Sequence, residues 1–323
     1  MARWGIVSTI KAPAADILRF VAYHLDLGAA RIAICLDDDT PDAFDALNAH
    51  PNCVAIQTDR PYWLETCGYV PKKHQVRQMQ NASRVYAEAT DLDWLAHIDV
   101  DEFLCPTDTP ISIALDTLPP ASPCARMSPC ESLCTEDHLG LDPAITFCKA
   151  RPKDTPANKA REAEIYPTFG GMFKDGFISH TAGKLFVRTG RDKVQFGIHR
   201  AFDLKSDGSK LDLPDVALDQ VELCHRHVES WEKWLRIMEF RLTRGSYREE
   251  LGKNIDPASG RVSRHVMFKS LLASDETDLR AFFEEVCLAT PELLSRLEHH
   301  GLLRQYALEL SRKVQKHFPD FVV

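Results

Sequence analysis

The sequence predicts an α/β protein: a doubly wound mixed sheet flanked by helices, with a helical C-terminal extension. Three observations predict it. Residues 6–98 alternate strand-length apolar runs with helical periodicity in the order β-α-β-α-β-α-β, the layout of a parallel sheet with helices on both faces. Trp94-Leu95-Ala96-His97-Ile98 is an apolar run that ends in Asp99, Asp101 and Glu102, as a strand buried on both faces does when it delivers polar groups to a ligand end. Beyond about Val216 the strand signals fade, and after residue 225 helical periodicity dominates. The expected organisation is a main domain over 1–225, with halves 1–105 and 106–225, and an extension over 226–323.

Length and composition narrow the classes. At 323 residues the chain exceeds one average domain. Hydrophobic residues make up 44% and charged residues 27%, as in ordinary globular proteins. The formal net charge is −8, against the basic stripe of a general nucleic-acid binder. The ten cysteines are scattered, with Cys124, Cys130 and Cys134 as the one cluster and no CxxC pair, so reduced, buried thiols of a cytosolic protein are expected. The amino terminus carries no signal-peptide core. No apolar stretch of about 18 residues could span a bilayer, so the expected location is cytoplasmic, with peripheral contact at the inner face of the membrane left open.

In order along the chain, Ile6–Ile10 reads as a first strand. Ile17, Leu18, Val21, Leu25 and Leu27 follow at helical spacing up to Gly28, a C′ residue. Arg31–Leu36 is a second strand, running into Asp37-Asp38-Asp39-Thr40; this βαβ unit implies parallel strands. A short helix over 43–49 leads to a third strand at 53–57. Residues 60–70 read as irregular and aromatic. A helix over 73–89 opens on a basic turn of Lys72, Lys73, His74 and Arg77, which the macrodipole disfavours at a helix N-terminus and which therefore suggests another purpose. It feeds the acidic strand.

Past Phe103 the alternation fails. A short helix is expected over 111–118, a strand at 125–127 and a loop over 131–142. Residues 149–166, with Pro152, Asp154 and Pro156, read as a long polar loop of the functional kind. Gly170–Gly176, Lys184–Arg188 and Phe196–Ala201 suggest strands, and Leu218–Cys224 a last one. Trp231, Trp234, Leu235, Met238 and Leu242 share a helical face. Thr290-Pro291 is an N-cap and N1 pair, and Leu303, Tyr306, Leu310 and Val314 suggest a final helix.

The chemistry-bearing residues are few. Asp99 and Asp101 are two apart, so an extended backbone turns both carboxylates to one side, where oxygen donors suit Mn²⁺ or Mg²⁺. Neither GxGxxG nor GxxxxGK[ST] occurs, so a nucleotide on this sheet is held by another device. His225 and His227 share a strand face. Lys184 and His199 are candidates for an acceptor or phosphate pocket. Glu131, Asp175 and Asp203 are candidates for a catalytic base.

The run Asp99-Val100-Asp101-Glu102-Phe103 resembles the Asp-x-Asp-Glu-Phe signature of glycosyltransferases related to family 2. Tyr23-His24-…-Gly28 resembles that group's first helix, Asp37–Thr40 its nucleotide turn, and His225–Ser230 a late His-containing element. The resemblance spans about residues 5–245, and departs from the pattern at Lys11-Ala12-Pro13 and at Arg226. It implies a GT-A fold and transfer of a hexose from a nucleotide-diphosphate sugar, a UDP-sugar first among donors, to a glycan or lipid hydroxyl with Mn²⁺ or Mg²⁺, as in polysaccharide biosynthesis. It also implies that Asp99, Asp101 and His225 hold the metal, while Lys11, Asp37, Asp39, Lys73, Gln75 and Asp99 contact the nucleotide. The alternatives are a metal-dependent nucleotidyltransferase and a non-catalytic nucleotide-sugar or glycan-binding module.

Overall fold

The computed structural model describes residues 1–153, 155, 157–252 and 260–321. Asp154 and Pro156, two residues of the expected loop, lie outside the described residues. The elements are β1 (Trp4–Ile10), α1 (Ala14–Asp26), β2 (Arg31–Leu36), α2 (Pro41–Ala49), β3 (Cys53–Gln57), α3 (Arg60–Cys67), α4 (His74–Glu88), β4 (Trp94–His97), β5 (Glu102–Pro106), α5 (Ile111–Asp116) and β6 (Cys124–Ser132). Then follow β7 (Thr146–Ala150), α6 (Asn158–Ile165), β8 (Lys184–Arg188), β9 (Val194–Phe196), β10 (Ala201–Leu204), β11 (Lys210–Asp212) and β12 (Asp215–His225). The remainder is α7 (Trp231–Arg236), α8 (Met238–Thr243), α9 (Arg264–Ser274), α10 (Glu276–Val286), α11 (Pro291–His299), β13 (Leu303–Tyr306) and α12 (Leu310–His317).

The chain forms two compact units, interleaved along the sequence. The first comprises Met1–Ser128, Ala182–Leu223 and Glu309–Val323; the second comprises Pro129–Thr181 and Cys224–Leu308. This differs from the expected boundary at 225/226: the second unit takes up residues 129–181, and the last helix returns to the first.

In the first unit, β3, β2, β1 and β4 lie side by side and parallel. Antiparallel β8 follows, paired Trp94↔Arg188 with β4, and then the start of β6, paired Cys124↔Val187. This is the expected mixed sheet with a GT-A-like, Rossmann-type parallel core. Alternate residues of each strand face opposite layers. Ile6, Ile32, Ile34, Trp94 and Ala96 pack with Phe20 and Val21 of α1 and with Val314 and Phe318. Val7, Ala33, Cys35 and Leu95 pack on the other face with Ala82, Val85 and Tyr86 of α4. Gly5 is required where it stands, since a Cβ there would lie 2.7 Å from the Arg31 carbonyl oxygen. β9, β10 and β11 form a separate antiparallel ribbon.

In the second unit, the end of β6 pairs antiparallel with β7, and β7 with β13. The helices close around Trp234, Phe268, Phe282 and Phe283, with edge-to-face aromatic pairs such as Trp234–Phe268 at 5.5 Å. Among the described residues, no helix is long and apolar enough to cross a membrane.

Several local expectations need correction. Residues 60–67 are helical because Asp59 caps the N-terminus, accepting from the Tyr62 N–H, and Gly68 ends the helix in the left-handed conformation. The expected polar loop at 149–166 contains the end of β7 and all of α6. Gly170–Gly176 forms turns rather than strands. Residues 196–201 are the corner between β9 and β10, not one strand. The strand expected at 125–127 extends to Ser132, shortening the loop that follows. Leu303–Tyr306 is a sheet-edge strand; its three-residue apolar spacing imitates a helix, but its backbone bonds go to β7.

Candidate functional site

The carboxyl ends of the parallel strands meet one polar face of α4. His74, Arg77, Gln78 and Asn81 recur at i, i+3, i+4 and i+7 and so share that face. Arg77 donates to the Asp37 carboxylate at the end of β2, Nε at 2.8 Å and Nη2 at 2.7 Å, and His74 Nδ1 lies 3.0 Å from the same oxygen. Gln78 donates to Asp99 Oδ1 beyond β4. Asn81 donates to Thr9 Oγ1 of β1 at 3.0 Å and accepts from the Tyr62 hydroxyl at 2.6 Å. The basic first turn of α4 thus holds an acidic strand end, which offsets its unfavourable position in the helix dipole.

The acidic turn is built without glycine. The Glu102 N–H donates to the Asp99 carbonyl at 3.0 Å, and the Asp99 N–H donates back to Glu102 Oε2 at 2.7 Å. Glu102 is fully buried and braces the turn. Lys184, also fully buried at the start of β8, reaches Asp99 Oδ2 at 2.8 Å and Glu102 Oε2 at 3.3 Å. Burial disfavours the ammonium, but Asp99 and Glu102 outweigh it and hold the Lys184 pKa above the usual lysine value. Burial likewise opposes ionisation of Asp99, and Lys184 outweighs that to hold its pKa below the carboxylate range. The turn thus sets three carboxyl groups, those of Asp99, Asp101 and Glu102, against the one Lys184 ammonium. Asp101 is half-buried, and a carboxylate offers more lone pairs than Gln78 and Lys184 occupy on Asp99. The oxygen donors and the charge fit Mn²⁺ or Mg²⁺.

His97 ends β4 beside this turn. Its ring is buried, 6.4 Å from the Phe196 ring, and among the described residues neither nitrogen has a hydrogen-bond partner. Burial first, and Lys184 second, push its pKa down to about 4, so the imidazole is neutral at pH 7.

The other expected nucleotide contacts lie nearer the surface. Lys11 pairs with Asp38 at 3.1 Å, both exposed, while Asp39 donates its backbone N–H to Asp38. Lys73 is the N-cap residue of α4, and Gln75 sits in its first turn. His199 Nδ1 lies 2.8 Å from the Gly183 carbonyl, next to Lys184 in sequence. Asp203 pairs with Arg191 at 2.7 Å in the small ribbon. The first unit therefore gathers Asp37, Asp99 and Lys184 around α4 and leaves Lys11, Asp39 and Asp203 with separate partners.

Three expected residues fall in the second unit. Glu131 is buried against Lys149 at 3.0 Å and accepts from the N–H groups of Ile178 and Ser179 at 3.2 and 2.6 Å. Burial opposes its charge, and Lys149 outweighs that to lower its pKa. Asp175 adopts φ 59° and pairs with Arg151 at 3.2 Å. The His225 ring lies between those of His180 and His227, at 4.9 and 5.1 Å, and His227 Nε2 is 2.8 Å from the Tyr247 hydroxyl.

The sequence reading missed Thr9, Gln78, Asn81 and His97 as site residues. For Gln78 and Asn81 the signal was a polar i, i+3, i+4, i+7 stripe on α4 opposite the apolar one.

No family model matches the chain, and no curated protein matches it. Among solved structures, HddC from Yersinia pseudotuberculosis matches with a TM-score of 0.35 at 9% identity, over 74% of this chain and 99% of that one. The bifunctional glycosyltransferase WbbM in its apo form matches with a TM-score of 0.29 at 13% identity, over 58% of this chain and 31% of that one. Both likenesses are distant and leave the functional argument to the residues themselves.

Proposed function

We propose that this chain is a glycosyltransferase that moves a sugar from a nucleotide-diphosphate sugar to a hydroxyl acceptor. The observation that carries the reading is the convergence of Thr9, Asp37 and the Asp99–Glu102 turn on one polar face of α4, at the end of a parallel sheet where ligands bind. In this reading the base and ribose lie toward Asp37 and Arg77, and the diphosphate lies toward Asp99 and Asp101. Those two carboxylates hold a divalent cation, Mn²⁺ or Mg²⁺, which when bound neutralises charge on the leaving diphosphate. The anomeric C–O bond breaks with its electron pair passing to the diphosphate oxygen, and the acceptor oxygen bonds to the anomeric carbon and gives up its proton to water. Lys184 keeps Asp99 ionised and aimed, Glu102 fixes the turn, and Gln78 holds the carboxylate from the helix side. UDP-sugars are the first donors to test, with a glycan or lipid acceptor.

The test is a donor screen with Mn²⁺ that monitors released nucleotide, beside calorimetric titration of UDP, GDP and CDP. Transfer or donor hydrolysis lost in Asp99→Asn supports the reading. Absence of binding by every nucleotide overturns it. Release of pyrophosphate when a nucleoside triphosphate and a sugar phosphate are supplied points to nucleotidyl transfer instead, and binding without turnover to a recognition module.

A further inference from the structure

We propose that Cys130, Cys148 and Cys224 form a buried three-sulfur site in the second unit for a soft, thiophilic cation of the Cu(I) class. The sequence disguises this group: the cysteines stand 18 and 76 residues apart, on β6, β7 and β12. The fold brings their sulfurs within 4.8 Å of one another, and the Cys148 and Cys224 sulfurs to 3.3 Å. All three side chains are fully buried. Register explains the convergence of the first two. Cys130 pairs with Ala150 and Cys148 with Ser132, so both thiols lie on one face of the β6–β7 ladder. Glu131 and Lys149 occupy the other face.

The geometry admits a metal ion, provided the Cys148 and Cys224 sulfurs part slightly from their 3.3 Å separation. Three sulfurs at about 2.3 Å from one ion lie about 4 Å apart in a trigonal arrangement, inside the observed 4.8 Å limit. Only sulfur atoms belong to this group, and soft thiolates select Cu(I) over hard cations. Structural zinc takes four ligands, and among the described residues this group supplies three. Ligation displaces thiol protons. Loss of two protons to one Cu(I) leaves one net negative charge, so uptake weakens as pH falls. The opposing reading is three small apolar side chains filling a core.

The experiment titrates the reduced, anaerobic full chain with Cu(I) against a chromogenic Cu(I) chelator. One equivalent should be captured with a sulfur-to-copper charge-transfer band. Cys148→Ala and Cys224→Ala should each weaken capture by more than about tenfold, while Cys105→Ala, a buried thiol elsewhere, leaves it unchanged. Cys67 is half-buried, so Cys67→Ala tests for surface capture and should also leave it unchanged. If the core variants do not fold, alkylation of the wild-type chain during brief denaturant pulses gives the answer: Cu(I) should protect these three cysteines selectively. No capture, capture that survives Cys148→Ala in a folded chain, capture abolished by Cys67→Ala, labelling unaffected by Cu(I), or a Cys148–Cys224 disulfide in the isolated chain would each overturn the proposal.

Discussion

Lys184→Met tests the electrostatics of the acidic turn directly. Methionine keeps most of the side-chain volume and removes the ammonium between Asp99 and Glu102. Glu102 has 0% side-chain exposure and Asp99 30%, so the loss falls mainly on Glu102. Removing one partner of a buried pair costs about 3–5 kcal/mol, and for a chain of this size about 4 kcal/mol lowers Tm by roughly 6 °C. The sign of the pH dependence follows from the two shifts. The depressed pKa of Asp99 gives stability that is present above the ordinary carboxylate range and is lost as pH falls through its folded value. The raised pKa of Lys184 gives stability that is complete below the ordinary lysine value of 10.5 and is lost only as pH rises through its folded value. The deficit of the variant should therefore be full at pH 7 and already smaller at pH 4, because without Lys184 nothing offsets the burial that opposes ionisation of Asp99. Urea unfolding at both pH values measures it. Adding Glu102→Gln should recover more than half of the deficit, because the amide oxygen still accepts from the Asp99 N–H while the orphaned charge is gone. A deficit under about 1 kcal/mol at pH 7, or one unchanged at pH 4, would refute the reasoning.

Asp99→Asn should lower sugar transfer by about 100-fold or more, read from nucleotide release at saturating donor and Mn²⁺. Arg77→Leu removes the guanidinium partner of the Asp37 carboxylate; it should cost about 2 kcal/mol in urea unfolding and weaken UDP binding in calorimetry. His97→Phe removes a buried imidazole that must stay neutral. Because its folded pKa lies near 4 against 6.5, the wild-type chain loses stability as pH falls from about 6.5 toward 4. The variant should show a flatter profile over that window, by up to about 3 kcal/mol; equal slopes would show that His97 does not titrate there.

The parallel core was legible because its strands are buried on both faces: Ile32–Leu36 and Trp94–Ala96 are wholly apolar, and Ile6–Ile10 departs from that only at Ser8 and Thr9. The acidic turn was legible for the same reason, since charge following such a run is out of place unless something meets it. The helix at 60–67 was hidden by its aromatics, its cap at Asp59 being the signal that mattered. β13 was hidden because Leu303 and Tyr306 fit a helical spacing, and only pairing with β7 decides the matter. At the site, Asp37 looked like a nucleotide contact from sequence, but its partners Arg77 and His74 lie 40 and 37 residues away. Such long-range ion pairing leaves no local pattern.

The interleaving of the two units constrains how the chain is made. The apolar face of α1 is covered by Val314 and Phe318, and Lys313 stacks over Tyr23 at 4.6 Å, so the first unit is incomplete until residues near 318 emerge. Between Ser128 and Glu309 a ribosome working at about 5–20 residues per second spends roughly 10–40 s. During that interval α1 lacks the cover of α12 beside Tyr23, and until residue 188 is made the nascent sheet also lacks β8. Synthesis in the cell must therefore either be fast relative to aggregation or be escorted by a chaperone that holds the α1 face. Shortening the chain before Val314 should turn a folding protein into a chaperone client.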